Sequence, residues 1–323
     1  MGRPRSSVKD LVIAVIGVGS IGTLIARYLN VNGIEPFLIH RNRARSLKAV
    51  ESGILVRDRR GRVNEVRGIN ITYDDLPTKV DVAFNCVKSY DVEASINMLR
   101  ENAINIGLLV MCQNGIGSYE YALKVFGEER VACLILNAGA YKDEGGMVNL
   151  SGISESYIGQ RGGVRNPYIG IVPEILKGLN VKGVSDIEPY RWLKLIVNAS
   201  VNPITAILRM PNGVILSNEY IKKLAFSVVS EGVKVARAVG VELPKDPFEE
   251  LVGVVRATSN NFSSMLQDIL RKGKTEIDYI NGALITIGED VGVDTPINRA
   301  LYLLVKSLES NLVNVWSPAM EYR

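Results

Sequence analysis

The sequence predicts an α/β fold in which a doubly wound parallel sheet is followed by an all-helical C-terminal domain. Three observations predict it: a glycine-rich turn after an apolar strand near the N-terminus, alternating strand and helix patterns up to about residue 184, and only long helical patterns beyond. The chain of 323 residues is long enough for two hydrophobic cores. We therefore expect one domain at residues 1–184 and a second at residues 185–323.

The first elements form a strand–turn–helix–strand unit. The apolar run at 11–16 predicts a strand buried on both faces, residues 23–33 carry a helical pattern, and residues 36–40 form the next strand. The turn between the first strand and the helix consists of Gly17, Val18, Gly19, Ser20, Ile21 and Gly22. An ordinary strand–helix turn is the alternative, but in this context the glycines let a pyrophosphate approach a helix N-terminus. The unit predicts a Rossmann domain that binds a dinucleotide.

Further patterns supply the rest of both domains. Residues 53–72 indicate an antiparallel hairpin around the turn Arg59, Arg60 and Gly61. Strands are predicted at 80–88, 107–115 and 130–140, and a helix at 92–103. The second domain is predicted to contain helices at 187–209, 218–239, 247–271, 275–291 and 296–309.

The end of the second strand favours NADP over NAD. Rossmann proteins that bind NAD usually carry Asp or Glu there for the ribose 2′-hydroxyl, whereas arginine suits a 2′-phosphate. Here His40 is followed by Arg41, Asn42 and Arg43, without a carboxylate. We expect Arg41 to contact the phosphate, with Arg43 either assisting it or lying in solvent. NAD stays open as the other cofactor.

Composition and charge exclude several function classes. A net charge of +4, concentrated in short clusters, is too small for a nucleic-acid-binding surface. No apolar run reaches the roughly 18 residues that span a bilayer, and the polar N-terminus does not resemble a signal peptide. Three distant cysteines and one histidine predict neither a disulfide framework nor a metal site. We expect a cytoplasmic protein that binds a small molecule.

A polar face on one apolar helix is the most informative feature of the second domain. Lys194, Asn198 and Asn202 are spaced four residues apart, so they share one helix face. Apolar residues occupy the other faces, which predicts a buried helix in which polar groups need partners. A solvated polar stripe is the alternative, and a polar wall facing a cleft is the functional interpretation.

Two further polar segments are ordinary when taken alone. Residues 260–268 predict a loop that leads into a helix, and residues 275–282 predict a capped helix beginning at Lys274 or Thr275.

Together these features resemble the ketopantoate reductase family, over residues 17 to about 308. GxGxxG is shared with many families, but the later motifs are much more particular. They are QNGIG at 113–117, WLKLxxNxxxNPxTA at 192–206, PNG at 211–213, SSMLQDI at 263–269 and TEIDYING at 275–282. An N-terminal tail of about ten residues and a slightly longer loop from Gly139 to Val148 depart from the common pattern.

The resemblance implies reduction of ketopantoate to pantoate by NADPH, in the synthesis of pantothenate and coenzyme A. Lys194 matches the family's general acid, since an ammonium can stabilise and protonate the oxygen that becomes negative during hydride addition. Glu276 matches a family acid near the cofactor and the active site. The matched cofactor contacts, besides the glycine turn and Glu276, are Arg41, Lys88, Asn114 and Ala140. The matched substrate contacts are Asn114, Lys194, Asn198, Asn202, Asn212, Asn261 and Ser264.

Two other functions remain as alternatives. One is a related NAD(P)H-dependent reductase of the same fold that acts on another 2-oxo acid. The other is a non-catalytic NADP(H) sensor, which the presence of Lys194, Asn198, Ser264 and Glu276 disfavours. The large apolar helices of the second domain also lead us to expect a homodimer.

Overall fold

The computed structural model describes residues 8–143 and 145–311. It contains two compact units, the first ending at Arg191 and the second beginning at Trp192, within one long helix. The boundary that we propose from the sequence, after residue 184, precedes this helix.

The first unit contains all twelve strands that the structure describes and five helices. The strands are β1 (Ile13–Ile16), β2 (Phe37–Ile39), β3 (Leu55–Arg57), β4 (Val63–Glu65), β5 (Ile69–Ile71), β6 (Lys79–Asn85), β7 (Asn105–Met111), β8 (Val131–Ile135), β9 (Ala138–Lys142), β10 (Val148–Ile153), β11 (Ser156–Gly159) and β12 (Val181–Gly183). The helices are α1 (Ser20–Val31), α2 (Arg43–Ser52), α3 (Val92–Glu101), α4 (Ser118–Phe126) and α5 (Val172–Ile175). Short 3-10 turns lie at Val8–Asp10, Tyr73–Asp75, Ser89–Asp91, Glu128–Arg130, Arg161–Gly163 and Ile169–Ile171.

Eight strands form the main sheet in the order β12-β11-β8-β7-β6-β1-β2-β5. The six from β8 to β5 are parallel. Alternate residues of β1 enter different cores, because Ile13 and Val15 pack with α1 and α5 whereas Ala14 and Ile16 pack with α3 and α4. Helices therefore cover both faces, and the predicted doubly wound fold is confirmed.

One edge of this sheet departs from the parallel pattern. β11 runs antiparallel to β8, and β12 is parallel to β11. A parallel return needs a crossover of a dozen or more residues, usually a helix. Here the chain leaves β8, forms the β9–β10 hairpin and re-enters the sheet without a helix, so it runs in the opposite direction.

A second sheet has the order β4-β3-β10-β9. The predicted hairpin is confirmed as β3 and β4, joined at Gly61, whose φ is +79°. Val56 and Val148 place this sheet in the same core as α1. The segment 130–140, predicted as one strand, is divided between β8 in the main sheet and β9 in this second sheet.

All regular elements in the described part of the second unit are helices. Its helices are α6 (Glu188–Leu208), whose first turn belongs to the first unit, α7 (Val214–Ser217), α8 (Glu219–Ala238), α9 (Pro247–Ala257), α10 (Ser264–Leu270), α11 (Asn281–Asp290) and α12 (Pro296–Asn311). α8 packs closely on α6, since a Cβ at Gly232 would lie 2.9 Å from Cγ1 of Ile196.

Two helix predictions in this unit are wrong in detail. The predicted helix at 247–271 is broken between α9 and α10. The carbonyl oxygens of Ser259 and Asn261 accept hydrogen bonds from N–H groups of the 211–213 loop, and Ser263 caps a new helix. The helix predicted from Lys274 or Thr275 begins only at Asn281, after a 3-10 turn at Ile277–Tyr279.

Candidate active site

The glycine turn between β1 and α1 closes only because two of its glycines lack a side chain. Gly17 has φ of +88°, and a Cβ there would lie 2.7 Å from Cγ1 of Val87. A Cβ at Gly22 would lie 2.1 Å from the carbonyl oxygen of Gly17, so this glycine lets α1 start directly against the turn. At Gly19, by contrast, a Cβ would meet nothing within 4 Å. The turn is thus tightly packed at Gly17 and Gly22 and open at Gly19.

The N-terminus of α1 fits an anion. Gly19 is the N-cap residue and provides no side-chain cap, and the first turn contains no acidic residue. The N–H groups and the positive end of the helix dipole at Ser20, Ile21 and Gly22 therefore suit a phosphate. Together with the space above Gly19, this arrangement fits the dinucleotide that the sequence predicts.

The other predicted cofactor residues of this unit follow neighbouring parallel strands. Arg41 follows β2, Lys88 follows β6 and Asn114 follows β7, so they lie at the carboxyl edge of the sheet, beside the switch point at β1. The Oγ of Ser89 donates to the carbonyl of Asn114 at 3.1 Å, which holds the β6 and β7 loops together. Arg41 is 72% exposed and lies 3.8 Å from the Asp91 carboxylate. Ala140 lies on β9, partly buried.

Gln113 organises these loops and was not among the predicted site residues. Its Nε2 donates to the backbone oxygens of Asn85 and Val87 at 2.9 and 3.0 Å and to Oδ1 of Asn85 at 3.0 Å. The QNG motif gave a signal, because a polar residue directly after an apolar strand marks the sheet edge. Its partners lie 26 and 28 positions away, and only the fold brings them together.

A buried ion cluster supports the loop after β7. Arg191 is 5% exposed and is bound to the carboxylates of Glu120 and Glu188. Glu120 also accepts from the N–H of Gly117 at 2.7 Å, at the end of the QNGIG segment. Burial opposes ionisation of Glu120, but the Arg191 charge and the Gly117 N–H hold its pKa below the usual range. Sequence reasoning assigned no role to this cluster.

In the second unit, the polar face of α6 lies in an apolar setting. Lys194 and Asn198 are half-buried and Asn202 is 5% exposed. The residues between them are buried, among them Leu195, Ile196 and Ala199. A fully solvated stripe does not describe this face, because Asn202 is buried and Lys194 and Asn198 are each partly covered.

Pro203 interrupts the hydrogen bonding of α6 between Asn198 and Asn202. Proline has no N–H, so the carbonyl of Ala199 loses its usual partner four residues on. Nδ2 of Asn281 donates to this carbonyl at 2.9 Å. The motif at 192–206 and the TEIDYING motif are thus joined by a hydrogen bond between residues 82 positions apart.

The remaining substrate candidates gather near the end of α6. Asn212 donates its N–H to the carbonyl of Asn261 at 2.9 Å and its Nδ2 to Oγ1 of Thr258 at 3.0 Å. Thr205 of α6 donates to Oγ of Ser263 at 2.8 Å, which ties the start of α10 to this helix. Ser264, the first residue of α10, is exposed.

Glu276 lies in the turn before α11 and is 6% exposed. The N–H of its neighbour Thr275 donates to Glu309 of α12 at 2.7 Å, which fixes the backbone at this point. The candidate residues thus form two groups, each assembled within its own unit. One surrounds the glycine turn, and the other lies along α6 and its neighbouring loops.

The described residues contain neither a membrane span nor a cluster of metal-ligating side chains. None of the helices in the two described ranges is both long and apolar enough to cross a membrane. In the same ranges no three His, Cys, Asp or Glu side chains are grouped so that they could hold a metal ion.

Comparison with known proteins identifies the family. Residues 13–163 match the family described as ketopantoate reductase PanE/ApbA, and residues 186–309 match its C-terminal domain. The chain is 37% identical to a 2-dehydropantoate 2-reductase of Pyrobaculum aerophilum over 301 residues, covering 93% of this chain and 98% of that protein. It is 32% identical to the enzyme of the same name from Archaeoglobus fulgidus over 308 residues, covering 93% and 98%.

A solved structure agrees with the sequence relatives. The crystal structure of a PanE/ApbA family ketopantoate reductase from Ralstonia eutropha JMP134 has a TM-score of 0.81 and 25% sequence identity, covering 94% of this chain and 99% of that one. The family matches span most of both units of the protein. The chain therefore belongs to the ketopantoate reductase family.

Proposed function

We propose that the protein is a 2-dehydropantoate 2-reductase that reduces ketopantoate to pantoate with NADPH. An oxidoreductase acting on a ketone and its alcohol, with a nicotinamide dinucleotide as cofactor, follows from the family. The polar face of α6 carries the proposal, because a half-buried lysine beside two asparagines suits a small anionic 2-oxo acid. NADP rather than NAD is the finer part of the proposal.

In this proposal the first unit binds the cofactor. The backbone of Gly17–Gly22 and the N-terminus of α1 hold the pyrophosphate, and Arg41 binds the 2′-phosphate. Lys88, Asn114 and Ala140 orient the nicotinamide half, with Glu276 as a further contact to ribose or to Lys194. NADPH, when bound, supplies the hydride.

The second unit binds the substrate and handles the proton. Lys194 donates a hydrogen bond to the C2 oxygen, stabilises the negative charge that grows on it and transfers a proton to it. Asn198, Asn202, Asn261 and Ser264 bind the carboxylate and other oxygens as neutral donors. Asn212 is assigned to the C4 hydroxyl of ketopantoate, since its Oδ1 is buried without a hydrogen-bond partner among the described residues.

The assay is oxidation of NADPH followed at 340 nm, with ketopantoate and a panel of other 2-oxo acids. We expect ketopantoate to give the highest kcat/KM. A folded protein that oxidises neither NADPH nor NADH with any 2-oxo acid contradicts the proposal. A clear preference for another acid of the panel identifies the related reductase instead.

Replacement of Lys194 tests the proton donor. We expect Lys194→Ala to lower kcat by a factor on the order of 10² or more, because general acid catalysis and charge stabilisation are both lost. The dissociation constant of NADPH should stay within about twofold, a shift well below the 1.4 kcal/mol that corresponds to tenfold. Lys223→Ala, at an exposed position of α8, is the matched control. An unchanged kcat in Lys194→Ala rejects the role.

We extend the proposal to a homodimer working in the cytoplasm. Leu303 and Leu304 of α12 are 59% and 51% exposed, which supplies apolar surface for a second copy. Light scattering after size-exclusion chromatography measures the mass, and a monomer mass contradicts the dimer.

A further inference from the structure

Lys142 lies against the glycine turn. It is the last residue of β9, and its Nζ donates to the carbonyl oxygen of Val18 at 3.1 Å. Val18 stands between the first two glycines of the turn, 124 positions away in the sequence. Lys142 belongs to the 139–148 segment, which the sequence showed only as a slightly longer loop.

The charge of Lys142 also acts on the end of β2. Burial lowers the pKa of His40, and the Lys142 and Arg45 charges lower it further. The N–H of Gly17 donates to the carbonyl oxygen of Ile39 at 3.0 Å, so the turn that Lys142 contacts lies directly beside the strand end that carries Arg41. A Rossmann domain holds the adenosine ribose in this region.

Several positively charged groups lie around the turn and the end of β2. The N-terminus of α1 carries the positive end of its dipole beside Lys142, without an acidic residue in its first turn. Arg41, Arg43 and Arg45 follow β2 and are exposed. An ammonium has three N–H donors in different directions, so Lys142 can bind the Val18 carbonyl and a phosphate oxygen together.

We propose that Lys142 is a second cationic ligand of the NADPH 2′-phosphate, acting beside Arg41, and that it helps the protein to discriminate NADPH from NADH. This assignment rests on the proposed function. The second sheet thereby contributes a cofactor residue, since the β9–β10 hairpin carries Lys142 to the turn. Its bond to Val18 fixes the ammonium in place before the cofactor arrives, which lowers the entropy lost on binding.

The test measures binding rather than turnover. Dissociation constants of four ligands (NADPH, NADH, 2′,5′-ADP and 5′-AMP) are determined by fluorescence or calorimetric titration. We expect Lys142→Met to raise the dissociation constants of NADPH and 2′,5′-ADP by about tenfold, because a charge-assisted hydrogen bond is lost. NADH and 5′-AMP should change by less than about twofold. Lys142→Arg should retain most of the preference for the phosphorylated ligands, and Lys124→Met, at an exposed position of α4, is the control.

The four ligands separate the outcomes. Equal weakening of all four by Lys142→Met, with a lower melting temperature, means that the lysine only supports the turn, and this overturns the inference. Unchanged binding of all four overturns it as well. A folded wild-type protein that binds none of the four contradicts the proposed function itself.

Discussion

Asn212 uses only half of its side-chain amide. Nδ2 donates to Thr258, whereas Oδ1 is buried and has no hydrogen-bond partner within the described residues. An unpaired buried acceptor costs about 1–3 kcal/mol, so a ligand that supplies a donor there gains a comparable amount. The C4 hydroxyl of ketopantoate is such a donor.

Two substrates test this assignment at the residue scale. We expect Asn212→Ala to raise KM for ketopantoate by about tenfold, the loss of one buried hydrogen bond. KM for 3,3-dimethyl-2-oxobutanoate, which lacks the hydroxyl, should change much less. Thr258→Val removes the partner of Nδ2 but keeps Oδ1, so it should affect both substrates alike. An equal rise in KM for the two substrates in Asn212→Ala would show that the residue only maintains the loop conformation.

Residues of the candidate site differ in how far the sequence reveals them. The spacing of Lys194, Asn198 and Asn202 predicts a shared face, because the helix period fixes their directions. The position of Gln113 after an apolar strand places it at the sheet edge but does not reveal its partners, and Lys142 carries no local signal. Their roles depend on partners up to 124 positions away, which only the folded chain brings near.

At the scale of elements, a residue of α11 satisfies the backbone of α6 where Pro203 interrupts its hydrogen bonding. The carbonyl that proline leaves without a partner accepts from Asn281, which also donates to Asn298 at 2.9 Å. Glu231 of α8 in turn accepts from the N–H groups of Ile297 and Asn298 at the start of α12. Buried polar groups thus join α6, α8, α11 and α12.

A double-mutant cycle measures the contact at Pro203. We expect Asn281→Leu to destabilise the protein by about 1–3 kcal/mol, because a buried carbonyl loses its donor. In a Pro203→Ala background the loss should be smaller by at least about 0.5 kcal/mol, since residue 203 then supplies an N–H. The lost bond to Asn298 is common to both arms and cancels. Additive free energies from denaturant unfolding would exclude the contact as the link.

The boundary between α9 and α10 shows how contacts with another segment affect where a helix ends. The sequence predicts one helix over 247–271, whereas the structure separates α9 from α10 at residues 258–263. The run Thr258, Ser259, Asn260, Asn261 and Ser263 was a signal for a break, because these side chains compete for backbone groups. The 211–213 loop stabilises the break, because its N–H groups donate hydrogen bonds to two carbonyl oxygens of this segment.

At the scale of the whole molecule, the pH dependence of stability near neutrality centres on one side chain. His40 is the single histidine of the chain, and histidine is the side chain that normally titrates between pH 5 and 8. Burial lowers the pKa of His40 in the folded protein, although its hydrogen bond to Asn70 opposes this. The unfolded chain therefore binds more protons than the native state just below the ordinary histidine pKa.

Stability should accordingly rise with pH in this window. As pH falls below about 6.5, the unfolded state gains a proton that the native state resists, and the free energy of unfolding decreases. We expect His40→Gln to weaken this dependence between pH 7.5 and 5.5, measured by denaturant unfolding. A histidine resonance that titrates above the ordinary value in the native protein would contradict the sign.

The sequence by itself determined the fold class, the glycine turn, the basic end of the second strand and the polar face of one apolar helix. These are local patterns, in which strand alternation, helix periodicity and glycine conformation act over a few neighbouring residues. The tertiary structure alone decided the antiparallel edge of the sheet, the support of Ala199 by Asn281 and the place of Lys142 on the turn. Each depends on atoms from distant segments, whose pairing is set by packing and by the need to satisfy buried polar groups.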